Sequence, residues 1–85
     1  MIKVQKLKDK SLRKENEFVK YYVEIYPKSD YCSYTVQTEF CDTYRKAIYL
    51  RKKITYTDPI FGVRIMVAYG KSEEEYDIDV FEILR

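Results

Sequence analysis

The stretch Asp42–Tyr56, DTYRKAIYLRKKITY, decides how the rest of the chain is read. At about 100° per residue, Tyr44, Ala47, Ile48, Leu50 and Ile54 fall within one sector of about 160°, as a core-facing helix requires. Asp42 is expected to be its N-cap, because a carboxylate there accepts from the free amides of the first turn and complements the helix dipole. Arg51 intrudes on the apolar sector and is expected to run along its edge with its charge toward water. Thr57-Asp58-Pro59 stops the helix, since the residue before a proline avoids helical backbone.

Working outward, the segments on both sides read as strands. In Glu17–Tyr26, EFVKYYVEIY, the β-branched and aromatic residues Val19, Tyr21, Val23 and Ile25 share the parity expected to face a core. Phe18, Lys20, Tyr22, Glu24 and Tyr26 lie on the other parity. Pro27-Lys28-Ser29-Asp30 supplies turn chemistry, and Tyr31–Phe40 follows as a second, half-buried strand with Cys32, Tyr34, Val36 and Phe40 on one face. Beyond the helix, Ile60–Tyr69 is the most apolar segment and the best candidate for a central strand. Its large-residue face is Phe61, Val63, Ile65, Val67 and Tyr69, and Gly62, Arg64, Met66 and Ala68 make the smaller one. A turn at Gly70–Glu73 leads to Glu75–Leu84, where Tyr76, Ile78 and Val80 alternate with Glu75, Asp77 and Asp79. Tyr76 is read on the core parity there, and a bulge at Val80-Phe81 would switch the apolar parity.

These elements define an α+β fold: a mainly antiparallel sheet of four strands in ββαββ order with one helix packed on one face. A right-handed crossover through the helix would set the first and last of the strong strands side by side and parallel, a β-grasp-like arrangement; a simple two-layer sandwich in another strand order is the alternative. Residues 1–85 are expected to form a single domain, with 17–85 as its ββαββ core. Residues 1–16 are expected to be a basic N-terminal arm: a short edge strand at Ile2–Leu7, which would be the fifth, and a charged loop at Lys8–Asn16.

Composition narrows the function classes. The apolar fraction is 46% and the charged fraction 35%, with both signs present, which fits a folded globular chain. The longest uncharged apolar run, Ile65–Tyr69, is far short of the roughly 20 residues a bilayer demands, so no membrane partner is expected. Histidine is absent, which removes the usual general base and the commonest zinc ligand; no metal, no cofactor and no enzymatic activity are expected. Cys32 and Cys41 are read as reduced thiols of a cytoplasmic protein. Cys41, near a helix N-terminus, would have some thiolate character.

The net charge of +2 conceals segregation: residues 1–14 carry six basic against one acidic, 42–56 five against one, and 71–85 two against six. On the outer face of the helix Arg45, Tyr49, Lys52 and Tyr56 are spaced 4, 3 and 4 apart, with Lys46 and Lys53 beside them. Basic groups interleaved with rings suit an acidic protein surface, because Tyr and Arg are favoured interface anchors. They suit nucleic acid as well, with cations on phosphates and rings on unpaired bases. A solvated helix face is the plainer reading. Phe18, Tyr22 and Tyr26, with Met66, form a second candidate surface on the sheet face away from the helix, suited to a protein partner or a homodimer unless the N-terminal arm folds over it. The acidic run Glu73–Asp79 reads as a strand edge guarded by charge.

The expected function is therefore that of a small non-enzymatic binding domain that occupies a surface on a protein partner. Its size and charged character are those of many phage-encoded accessory and anti-defence proteins, anti-CRISPR inhibitors included, although no motif resembles a particular family. A nucleic-acid-binding module and a dimerising assembly subunit are the alternatives.

Overall fold

The computed structural model describes residues 2–28, 35–54 and 61–84. Helix α1 (Ile2–Glu15) leads into strand β1 (Phe18–Pro27), followed by a short β2 (Val36–Gln37), helix α2 (Tyr44–Lys53), β3 (Phe61–Ser72) and β4 (Glu75–Leu84). The sheet is antiparallel throughout, in the order β2-β1-β3-β4. The α+β class and the four-stranded antiparallel sheet match the sequence reading. The ββαββ order with one helix does not, because the chain adds α1 in front and both helices lie on the same face.

The arm expected over residues 1–16 as strand and loop is the helix α1. Ile2 and Val4 suggested strand alternation, but apart from Asp9 and Ser11 the rest of the segment is Lys, Leu, Gln, Arg and Glu, all good helix formers, with no Gly or Pro. Asp9 and Arg13, four apart, pair at 3.1 Å, and Arg13 and Lys14 sit favourably at the negative end of the helix dipole. Asn16 closes the helix, with its backbone N–H and its Nδ2 both donating to the Leu12 carbonyl, at 2.9 and 3.0 Å. Helix α1 does not cover the aromatic sheet face: Leu12 packs into the core on the side of α2, and the Tyr21 hydroxyl donates to Asp9.

The β-grasp expectation also fails. Strand β1 pairs with β3, antiparallel, from Phe18↔Gly70 to Pro27↔Phe61, and β4 lies outside. The physical reason is which strand needs cover. Ile65, Met66, Val67 and Ala68 of β3 are buried on both faces, so β3 requires a neighbour on each side, whereas β4 carries Asp77 and Asp79 and tolerates an edge.

One face of the sheet holds the core. Val19, Tyr21, Val23, Ile65, Val67 and Phe81 are buried against Ala47, with Tyr44, Ile48, Leu50 and Ile54 of α2 packed around them. These five α2 residues are the apolar sector read from the sequence. The helix cap differs by one residue: Thr43 is the N-cap, its Oγ1 accepting from the Lys46 N–H at 3.2 Å, while Asp42 pairs with Lys20 instead. Arg51 is half-buried, and its Nε is buried without a hydrogen-bond partner among the described residues.

Two irregularities set which way side chains point. In β4 the register shifts between Met66↔Val80 and Ile65↔Glu82, leaving Phe81 as the extra residue; this is the bulge expected at Val80-Phe81. It turns Phe81 into the core, so Tyr76, Ile78 and Val80 lie on the opposite face, and Tyr76 is not on the core parity expected for it. After β2 the ladder breaks as well. Val36 pairs with Ile25, the Thr38 N–H reaches Val23 O at 3.0 Å, and Cys41 bridges Tyr21. Three residues from Thr38 to Cys41 thus span two on β1, and Phe40 is thrown to the face opposite Val36.

Candidate functional site

The helix-free face of the sheet is built by the even positions of β1 and β3 and by β4 ahead of its bulge. Tyr22 stands across from Met66, which faces Val80; Phe18 stands across from Gly70, which faces Tyr76. Phe40 completes the surface from outside the sheet: its ring stacks on Tyr22 at 5.4 Å and meets Tyr76 edge-on at 5.9 Å, and Phe18 and Tyr76 are 5.3 Å apart. Such offset and edge contacts are the favoured geometries of aromatic pairs. Tyr22 is only 3% exposed beneath this layer, whereas Phe40, Tyr76 and Ile78 are 43, 37 and 50% exposed. No helix among the described residues lies over them.

Gly70 is what lets Tyr76 come so close. A Cβ there would stand 2.7 Å from Tyr76 Cα, too near for any side chain without moving the hairpin backbone. At the other end of the face the Tyr26 ring lies on Gly62, and the Arg64 guanidinium sits 4.3 Å from its centroid. Arg64 Nε donates to Glu24 Oε1 at 2.7 Å, so Glu24, 8% exposed, is a buried carboxylate with its charge matched. Of the residues expected on this face, Phe18 and Tyr22 belong to the aromatic layer, while Tyr26 is separated from it by the Glu24–Arg64 pair.

Sequence reasoning missed Phe40, Tyr76 and Ile78 as surface. For β4 the signal was the parity break at Val80-Phe81, which assigns Tyr76 and Ile78 to the face away from Phe81. For Phe40 no sequence signal shows the break in the ladder.

The second expected surface is the outer side of α2. Arg45, Lys46, Lys52 and Lys53 are exposed there, and Tyr49 is 60% exposed with Lys53 Nζ 4.5 Å from its ring centroid. Lys46 lies 4.0 Å from Asp42. Tyr56, Tyr31, Cys32, Tyr34, the Ser29-Asp30 part of the turn and the helix stop at Thr57–Pro59 lie outside the described residues. Helix α1 lies on the same sheet face as α2 and carries Lys8, Lys10, Arg13 and Lys14, all exposed, against Asp9 and Glu15.

On the core side, tyrosine hydroxyls are committed to carboxylates. Tyr21 donates to Asp9 and Tyr44 to Glu82. Burial first, and then the adjacent carboxylate, pushes both phenols well above their ordinary range. Burial raises the Tyr22 phenol too. The Cys41 thiol, expected to have thiolate character, is buried, and that burial pushes its pKa up, so the helix terminus does not activate it. Hydrogen bonding to Lys20 holds the Asp42 carboxyl below its usual range.

A shallow cleft of about 360 Å³ is lined by Arg13, Lys20 and Asp42, whose polar groups are mutually engaged; Arg13 Nη2 donates to the Asp42 carbonyl at 2.6 Å. Among the described residues no three Cys, Asp or Glu side chains converge as a metal site, and no helix is long and apolar enough to cross a membrane. No protein-family model, no curated protein and no solved structure matches this chain.

Proposed function

We propose that this chain is a non-enzymatic binding domain that occupies a surface on a protein partner, through the helix-free face of its sheet. The observation that carries this reading is the aromatic layer of Phe18, Tyr22, Phe40 and Tyr76, continued by Ile78, over which no second layer lies among the described residues. A contiguous apolar patch with a charged rim is the usual anatomy of a protein interface, and aromatic anchors on rigid strands lose little entropy on docking. Acting by occupancy is also how an inhibitor works, including the phage-type accessory and anti-defence inhibitors that the chain matches in size and character.

The test is a comparison of variants on one purified partner, obtained by retention on the tagged chain and then measured in isolation. Phe40→Ala with Ile78→Lys should weaken the Kd by at least about tenfold, as expected for the centre of an interface. Arg45→Ala with Lys52→Ala should change it less than threefold, about the scale of rim charges. The opposite ranking would move the interface to α2 and overturn the reading.

A second reading is favoured by one observation, the gathering of both basic helices on one side. Nucleic acid bound there would be released steeply by salt. Absence of binding to single-stranded and duplex probes at low salt sinks that alternative. A homodimer through the aromatic face would show as a doubled mass in sedimentation that Ile78→Lys abolishes.

A further inference from the structure

The outer edge of the sheet is not symmetric. At one side β2 is two residues long, a stub; at the other β4 runs for 10 residues, and all of Glu75–Asp79 is exposed. The Val80 N–H donates to Asp79 Oδ1 at 2.8 Å instead of to β3. It therefore points outward, and the alternation of an antiparallel ladder turns the amides of Tyr76 and Ile78 the same way. The amides of Tyr76 and Ile78 are backbone groups ready to pair with another strand, and that of Val80 joins them once the strand's carbonyl takes the place of Asp79 Oδ1.

The two sides of this edge differ in chemistry. Tyr76, Ile78 and Val80 project on the helix-free face and continue the aromatic layer to the rim of the sheet. Asp77 and Asp79 stand opposite Tyr69 and Val67 and project on the helix side, where neither forms a salt bridge among the described residues. Any strand added here would lay one set of alternate side chains beside the apolar row and the other beside the carboxylates.

We propose that β4 is a docking edge for an extended segment of a different protein, one in which basic residues alternate with apolar ones. The segment adds as a fifth strand: its main chain pairs with the outward amides, its apolar side chains extend the face at Tyr76, Ile78 and Val80, and its Lys or Arg side chains lie across from Asp77 and Asp79. A second copy of this chain is the wrong occupant. Antiparallel self-pairing about Ile78 sets Asp77 of one copy against Asp79 of the other, and like charges directly opposite are destabilising. The same carboxylates that guard the edge against itself select a cationic strand, which is charge acting as both attraction and exclusion. The proposal rests on the reading of the sheet face as a protein-binding surface and adds the shape and charge of what binds.

The probe is a capped synthetic peptide of alternating lysine and valine, matched in length to β4, with a glutamate–valine peptide as control. Binding is followed by fluorescence anisotropy, and its place by amide hydrogen exchange. The expected result is binding of the lysine–valine peptide alone, with exchange at Tyr76, Ile78 and Val80 slowed by at least about tenfold. Asp77→Lys with Asp79→Lys should invert the preference to the glutamate–valine peptide, an outcome that loss of folding cannot mimic. Peptide binding that protects other amides, or that ignores the charge reversal, overturns the proposal. So does concentration-dependent protection of these amides in the chain alone, which would make a second copy the occupant. If no peptide binds while Phe40→Ala with Ile78→Lys still abolishes capture of the purified partner, the edge proposal fails and the sheet-face reading stands.

Discussion

The two faces of the sheet are closed by different means. On one, α1 and α2 bury Tyr21, Val23, Ile65, Val67 and Phe81, and the hydroxyls of Tyr21 and Tyr44 are tied to Asp9 and Glu82. On the other, the strands' own rings and the single side chain of Phe40 cover Tyr22 and Met66, and nothing among the described residues covers Phe40. The first face holds the fold, because its apolar groups are enclosed by a second layer. The second face has a single layer among the described residues, and the proposed protein-binding role rests on that.

The largest expected difference between them is between adjacent residues of β3. Ile65→Ala should cost about 3–5 kcal/mol, because two helices and the sheet cannot all close on the cavity. Met66→Ala, on the other side of the same strand, should cost about 2 kcal/mol, at the low end for such truncations, because Phe40 and Tyr22 have room to settle inward. Urea unfolding of both variants measures this directly, and equal losses would mean the open face is packed as tightly as the closed one.

The next effect is alkaline sensitivity of the helix-covered face. Tyr21 and Tyr44 have folded-state pKa values raised above the ordinary 10.0, so the unfolded chain loses these protons first. Their contribution is complete below about pH 10 and is lost as pH rises above it. Stability should therefore be nearly flat to about pH 10 and then fall, with a shallower fall in Tyr21→Phe and Tyr44→Phe. An unchanged slope in both variants would show that the carboxylate contacts do not hold the phenols neutral. Tyr22 on the other face, raised chiefly by burial, adds a smaller part of the same slope.

Smallest is the effect of the open face on stability itself. Ile78→Lys should shift unfolding by no more than about 0.5 kcal/mol, as exposed substitutions do, while weakening the proposed docking. A large loss of stability would assign the exposed isoleucine to the core and narrow the difference between the faces.

Much of this was legible along the chain. Tyr44, Ala47, Ile48, Leu50 and Ile54 share a helical sector, and all five meet the sheet, because burial of an amphipathic helix follows from its spacing alone. The parities of β1 and β3 were read correctly for the same reason. Helix α1 was misread because its apolar residues are few, and what distinguishes it from a mobile arm is its long-range contacts, with Asp9 reaching Tyr21 and Lys8 Nζ reaching the Phe81 carbonyl at 3.3 Å. The candidate surface on α2 was visible from spacing and is exposed as expected at Arg45, Lys46, Tyr49, Lys52 and Lys53. The stronger candidate on the sheet was only half visible, through Phe18 and Tyr22.

By itself the sequence determined the class of fold, the α2 core stripe, the inward faces of β1 and β3, and the separation of charge between the basic segments 1–14 and 42–56 and the acidic last segment. These are properties of period and composition, which each segment carries independently. Strand order, the placement of α1 and the turning of Phe40 and Tyr76 outward were decided by tertiary structure. Each depends on a contact between distant segments: β3 needing two neighbours, Leu12 finding the core, and a ladder that slips by one residue at Thr38–Cys41 and again at Phe81. A slip of one residue moves a side chain to the other face, and here that places the aromatic surface on the side that no helix among the described residues covers.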